Sequence, residues 1–100
     1  MLNIEKKQEG TSLTVVLQGR LDTTTSPELE LSLKESLPGV TELAMDLEGL
    51  EYISSAGLRV LLSAQKRMNE QGAMKVTGVN ETIMEIFDVT GFVDILTIEK

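Results

Sequence analysis

Two adjacent serines, Ser54 and Ser55, are the side chains of this sequence best placed to take part in covalent chemistry. They lie in the stretch DLEGLEYISSAGLRVLL, residues 46–62, where an acidic segment gives way to a leucine-rich one. A serine in such a position can cap a helix, act as a nucleophile or accept a phosphate from another protein. The composition and charge of the rest of the sequence bear on which of these three roles the serines have.

Nucleophilic catalysis is disfavoured because the sequence places no suitable base near the serines. The 100 residues contain no histidine and no cysteine, which also excludes thiol catalysis, disulfides and the usual zinc sites. No Ser-x-x-Lys element is accompanied by the further motifs that such a mechanism needs. We therefore expect a protein that is not an enzyme and that uses no cofactor and no metal.

The charge balance argues against a nucleic-acid partner. Sixteen acidic residues against nine basic ones give a net charge of -7, whereas phosphate backbones are held by clustered Lys and Arg. No segment approaches the ~20 apolar residues of a membrane span, and the first residues lack a signal-peptide pattern. These features predict a cytoplasmic protein with no direct membrane insertion.

The segment that precedes the serines is strongly acidic. Five carboxylates and no Lys or Arg occur between Glu35 and Leu58. Such a segment can be a solvated acidic face or a docking surface for a basic partner. The sequence leaves both interpretations open.

Alternating apolar and polar residues predict the strands that must position these serines. The first of them is a weaker edge strand that forms a hairpin with the second across Gly10. The pattern predicts five strands, at residues 3–8, 12–19, 41–47, 74–79 and 93–99.

Apolar residues spaced by three and four predict three helices, at about residues 26–37, 55–70 and 80–92. Ser26 before Pro27 is typical of a capping residue followed by proline at the first helical position. Pro38 and Gly39 end the first helix, and Gly72 ends the second.

The resulting order, β-β-α-β-α-β-α-β, predicts an α/β fold with a small mixed, mostly parallel sheet layered with helices. The chain has the length of a single domain, residues 1–100. In such folds the functional crevice lies at the carboxyl ends of the strands. If the second and third strands are neighbours, Asp22 and Ser55 come close together at that end.

The turn itself allows structural and functional interpretations side by side. We expect one of the two serines to be the N-cap of the second helix. Gly57 either permits close packing on the neighbouring strand or lets a partner approach the backbone, and Leu58 is expected in the core. A phosphate on a serine here would be tolerated by the exposed N–H groups and the dipole of the helix N-terminus.

Three segments together resemble the STAS domain family, named for sulfate transporters and anti-sigma factor antagonists. They are GRLD at 19–22, DLEGLEYISSAGLRVLL at 46–62 and IFDVTGF at 86–92. The similarity extends over essentially the whole chain, including the order of its elements. It is strongest to the stand-alone bacterial anti-sigma factor antagonists.

This resemblance implies a partner switch. Such antagonists bind an anti-sigma factor that is also a serine kinase and thereby free the sigma factor for transcription. Phosphorylation of the antagonist on its turn serine breaks the complex, and a serine phosphatase restores it. The alternative from another class is a constitutive STAS-type structural subunit of a transport or signalling assembly, which is not phosphorylated.

The resemblance also assigns site residues. Family members usually read Asp-Ser-Ser-Gly or Asp-Ser-Thr-Gly at the turn, so the phosphorylated residue corresponds to Ser55. Ser54 replaces the usual aspartate and is a competing acceptor. The expected partner-binding surface comprises Asp22, Thr24, Ser54, Ser55, Ala56, Gly57 and Leu58.

Overall fold

The computed structural model of the protein describes residues 1–99 as a four-stranded sheet with three α-helices. In chain order the elements are β1 (Leu2–Glu9), β2 (Ser12–Leu21), α1 (Ser26–Ser36), β3 (Glu42–Ile53), α2 (Ser55–Gln71), β4 (Ala73–Thr77) and α3 (Glu81–Thr90), followed by a short 3-10 helix at Phe92–Asp94.

The strands lie in the order β1-β2-β3-β4, so each strand is a neighbour of the next one along the chain. β1 is antiparallel to β2, whereas β2, β3 and β4 are parallel to one another. The prediction of a mixed, mostly parallel α/β sheet is therefore confirmed. Because crossovers between parallel strands are nearly always right-handed, α1 and α2 lie on the same face of the sheet.

One face of the sheet forms the core and the other faces solvent. Strand register places Leu13, Leu43 and Met74 in one buried row. Val15, Met45 and Val76 form the next row, and none of these three is exposed. Leu29 and Leu33 of α1, Leu58 and Leu61 of α2, and Ile83 and Phe87 of α3 join the same cluster.

β3 is longer than its alternating pattern predicts: it extends to Ile53, so the predicted end of this strand at residue 47 is wrong. After Leu47 the next buried residues are Leu50 and Ile53, spaced by three. The register against β2 shifts at these points, so β3 contains one extra residue at each of two bulges. Bulges break the two-residue period by which strands are recognised in a sequence. Beyond them β3 stays paired with β2 up to the last residues, Ile53 and Leu21.

The predicted strand at residues 93–99 is also wrong. Gly91 ends α3 in the left-handed conformation, with φ of 79°, and the chain continues into the 3-10 helix. Phe92, Val93 and Leu96 pack against the core at helical rather than strand spacing, whereas Ile95 is exposed. Only Ile98 forms a bridge, to Val76 on the edge of β4.

The helix boundaries agree with the predictions to within a few residues. The N-cap position of α1 is Thr25 rather than the predicted Ser26, which is the buried first residue of the helix. The Thr25 side chain makes no capping hydrogen bond, because its hydroxyl bonds within the loop before the helix. No helix within residues 1–99 has the combination of length and apolar character that crossing a bilayer requires.

Gly57 fixes how closely the start of α2 approaches the sheet. A Cβ atom at this position would lie 2.7 Å from Cγ of Leu21 and 2.9 Å from Cγ1 of Ile53. Both distances are shorter than carbon atoms tolerate, so glycine is required by the packing of α2 on the ends of β2 and β3.

We predict that Gly57→Ala destabilises the fold by about 1–3 kcal/mol through this overlap, although alanine is the better helix former by about 1 kcal/mol. Urea unfolding of the purified variant measures this difference. In a Leu21→Ala background, which removes the nearer of the two contacted atoms and leaves that of Ile53, the same substitution should cost less. An equal cost in both backgrounds would contradict the packing explanation.

Candidate functional site

The loop after β2 and the turn after β3 lie side by side. Leu21 and Ile53, the last residues of the two strands, are paired in the sheet. The backbone N–H of Ser54 donates to the carbonyl of Leu21 over 2.9 Å. Asp22 and Ser54 therefore leave adjacent strand ends, so the condition under which Asp22 is expected to lie close to the serines is met.

Asp22 organises the loop that connects β2 to α1. Its Oδ1 atom accepts from the backbone N–H of Thr24 at 3.0 Å, the Thr24 hydroxyl at 2.8 Å and the backbone N–H of Thr25 at 3.1 Å. The Thr25 hydroxyl accepts from the backbone N–H of Asp22 and donates to the carbonyl of Arg20. This oxygen of Asp22 thus holds its own loop, and it presents Thr24 at the surface.

These hydrogen bonds stabilise the charged form of Asp22. The Thr24 hydroxyl and then the Thr25 N–H lower the pKa of the carboxyl group from 3.8 to about 2, although partial desolvation opposes them. The side chain is consequently an anion throughout the physiological pH range. The loop beside the serines has a fixed negative charge whose position is set by local hydrogen bonds.

Ser54 is the N-cap of α2. Its backbone is extended, with φ of −94° and ψ of 174°, and its Oγ atom accepts from the backbone N–H of Gly57 over 3.3 Å. The carbonyl of Ser54 accepts the first helical hydrogen bond, from Leu58. Ser54 is half-buried and has a structural role, as expected for one member of the pair.

Ser55 differs from its neighbour in exposure and in hydrogen bonding. It is the first residue of α2 and is exposed. Its hydroxyl takes part in none of the side-chain hydrogen bonds found within residues 1–99. A kinase or a partner can therefore reach this hydroxyl without disturbing the cap.

The three residues after the serines are less exposed than Ser55. Ala56 is half-buried, Gly57 is buried and Leu58 is only 6% exposed. Gly57 and Leu58 thus belong mainly to the interior, whereas the expectation from the resemblance placed both on the partner surface.

A groove of about 520 Å³ runs from Ser55 towards the end of α3. Leu58 and Leu62 of α2 and Phe92 line it with apolar groups, and Arg59 and Thr90 contribute polar ones. Sequence reasoning identified Phe92 only as part of a family motif. The remaining contacts depend on how α2 and α3 pack, which no local pattern reveals.

Two arginines modify the negative charge expected around the turn. Arg59 is exposed and follows Ser55 by one helical turn. Arg20 lies over the ring of Tyr52, with its guanidinium carbon 4.5 Å from the ring centre, because the two residues are partners across β2 and β3. The acidic segment is therefore flanked in space by two basic side chains that lie outside the sequence run from Glu35 to Leu58.

The described residues offer no site for a metal ion, because no group of three or more acidic, cysteine or histidine side chains comes together within residues 1–99. The chemistry available at the turn is that of one exposed hydroxyl beside a helix N-terminus, an anionic loop and an apolar groove. This arrangement suits modification and binding by another protein.

Residues 3–100 match the STAS domain family. The chain belongs to this family. Its sequence is 30% identical over 101 residues to the anti-sigma-B factor antagonist of Staphylococcus aureus, an alignment that covers 99% of this chain and 94% of the relative. Anti-sigma factor antagonists are regulatory proteins and not enzymes, so the prediction of no enzymatic activity is confirmed.

Solved structures share the fold of this STAS domain. An anti-sigma factor antagonist from Mycobacterium paratuberculosis has a TM-score of 0.89 at 18% identity, with 98% of this chain and 85% of that chain covered. The Bacillus cell fate determinant SpoIIAA in its phosphorylated form has a TM-score of 0.76 at 15% identity, with 98% and 92% covered. At these identities the likeness concerns the fold alone.

We predict that Thr24→Val raises the pKa of Asp22 from about 2 towards 3.8, because it removes the largest stabilising hydrogen bond. Thr24→Ser keeps the hydroxyl and should keep the low value. Carbon-detected NMR titration of the carboxyl group measures both. Because the folded pKa is lowered, the stabilisation by Asp22 is present above pH 3.8 and is lost as the pH falls through about 2. A value near 3.8 in the unmodified protein would contradict this assignment.

The two serines should also differ in their effect on stability. Ser54→Ala removes the cap and is expected to cost about 1 kcal/mol of unfolding free energy. Ser55→Ala, the matched control one residue along, should change it by no more than about 0.5 kcal/mol. Urea unfolding distinguishes them, and equal losses would show that both serines contribute to the helix start.

Proposed function

We propose that this STAS protein is an anti-sigma factor antagonist whose partner is an anti-sigma factor with serine kinase activity. In this proposal phosphorylation of Ser55 releases the partner, and a serine phosphatase restores binding. The protein would thus regulate sigma-factor-dependent transcription in the cytoplasm. The observation that carries the proposal is the exposed Ser55 hydroxyl, free of hydrogen bonds within residues 1–99, at the N-terminus of α2.

The choice of Ser55 over Ser54 follows from what each hydroxyl does in the fold. Phosphorylation of Ser54 would require its half-buried Oγ atom to leave the N–H of Gly57, at the cost of the cap. Phosphorylation of Ser55 breaks no hydrogen bond found in the described residues. The structural argument and the family motif therefore favour the same acceptor.

Phosphate at Ser55 can inhibit binding while the domain stays folded. It adds about -1.5 to -2 charges, which the N–H groups at the start of α2 and the nearby Arg59 accommodate in the free protein. In a complex the same phosphate would lie at the rim of the apolar groove beside Leu62 and Phe92. Covering it with a partner would strip its water, and that penalty amounts to several kcal/mol.

The names of relatives support the class of partner. The Staphylococcus aureus relative is named an anti-sigma-B factor antagonist. The loop held by Asp22 and the start of α2 leave adjacent strand ends, and Thr24 and Ser55 are both exposed there. A partner that contacts both would sense the modification directly.

The decisive experiment combines phosphosite mapping with partner binding. Protein isolated from growing and from starved native cells is digested with trypsin, which releases Glu35 to Arg59 as one fragment containing both serines. Fragmentation spectra then separate phosphate on Ser55 from phosphate on Ser54. We expect phosphate on Ser55 whose occupancy changes with growth condition.

Binding to the copurified anti-sigma factor is measured for three variants. We expect Ser55→Ala to bind and no longer be released by the kinase with ATP, and Ser55→Asp to bind at least about tenfold more weakly. Ser54→Ala is the matched control and should still switch. Absence of phosphate in every condition, with unchanged affinity of Ser55→Asp, would contradict the proposal and favour a constitutive structural subunit.

A further inference from the structure

A second groove lies apart from Ser55, at the carboxyl end of β4. It has a volume of about 480 Å³ and is lined by residues 78–81, Met84, Glu85, Asp88, Ile98 and Glu99. We refer to it as the acidic groove. It shares no lining residue with the groove beside Ser55, because the two open on different sides of α3.

The floor of the acidic groove is apolar. Val79, Met84 and Ile98 are half-buried there, and Val79 and Ile98 also pack against the core. A methionine at such a surface adapts its shape to different apolar side chains. The volume lies within the range of about 300–1,000 Å³ that is typical of binding clefts.

The rim of the acidic groove carries carboxylates on both sides. Glu81, Glu85 and Asp88 follow one another at spacings of four and three along α3, so they share one face of the helix. Glu99 lies opposite and forms an exposed ion pair with Lys75 at 3.6 Å. That pair is the only one within residues 1–99, so the three carboxylates of α3 have no cationic partner there.

Glu81 lies in the first turn of α3, where the helix dipole favours a carboxylate, but the charges that follow it do not serve the stability of the helix. Like charges four residues apart destabilise a helix by a few tenths of a kcal/mol. A negative charge near the C-terminal end, where Asp88 lies, also opposes the helix dipole. The last turn of α3 contains no basic residue. A cationic partner along this face would remove both penalties.

We infer that the acidic groove binds a basic, amphipathic segment of a partner protein, independently of the surface around Ser55. Lysine or arginine side chains of the segment pair with Glu81, Glu85 and Asp88, and an apolar side chain between them contacts Val79, Met84 and Ile98. Charge complementarity and the apolar floor together specify this occupant. Because the acidic groove shares no lining residue with the groove beside Ser55, binding here requires neither state of the proposed switch.

The test uses the full chain and a synthetic peptide of lysine, leucine and alanine, with its lysines at the same helical spacing as the three carboxylates. Calorimetry gives the affinity, and nitrogen-15 NMR spectra locate the contact. We expect shift changes at Val79, Met84, Glu85 and Ile98, with little change at Ser55.

Two variants separate the acidic groove from general attraction to an acidic protein. Removing its charges with Glu81→Gln, Glu85→Gln and Asp88→Asn together should weaken binding by about tenfold, the size expected of three exposed ion pairs. The matched control, Glu28→Gln, Glu30→Gln and Glu35→Gln on α1, changes the net charge equally and should weaken binding by less than about threefold.

Met84→Ser keeps every charge and should also weaken binding, because it removes part of the apolar floor. Circular dichroism verifies that each variant is folded. Equal losses in the two charge variants, or shift changes spread over the whole acidic surface, would overturn the inference. Shift changes centred on Ser55 would overturn it as well, because they would assign the peptide to the other groove.

Discussion

The parallel pairing of β2 with β3, maintained up to the last residue of each strand, is the interaction on which the candidate site depends. The pair formed by Leu21 and Ile53 brings two segments that are distant in sequence to the same edge of the sheet. The hydrogen bond from Ser54 to the carbonyl of Leu21 continues this pairing past the sheet. Without this strand pairing, neither the loop that contains Asp22 nor the start of α2 would have a defined position.

Structural and regulatory roles are divided between adjacent residues at this edge. Asp22 and Ser54 direct their oxygen atoms at backbone N–H groups and thereby hold the loop and the helix start. Ser55 and Thr24, next to them, are exposed. The surface can therefore change its charge while the hydrogen bonds that shape it stay in place.

The parts of the fold that follow local periodicity could be predicted from the sequence, and the parts that depend on contacts between elements could not. The three helices and the first four strands have regular spacing, and their order implies the parallel sheet. The bulges of β3 and the bridge at Ile98 break that regularity. Arg20 contacts Tyr52 only because of the strand register, so this contact could not be predicted from the sequence. The motif predicted the segment and assigned Ser55 as the acceptor, whereas the sequence did not show which of the two serines caps α2, because that depends on the hydrogen bond from Gly57 to Ser54.

The bulges also make the length of β3 a determinant of which serine is available. β3 contains two more residues than the stretch of β2 beside it, so Leu21 pairs with Ile53 and Ser54 follows in the capping position. If the strands continued in the register of their first residues, Leu21 would instead face Glu51. The chain would then leave the sheet two residues before the serines. The two bulges thus decide which residue begins α2, and a motif alone does not locate the exposed hydroxyl unless the strand pairing is known as well.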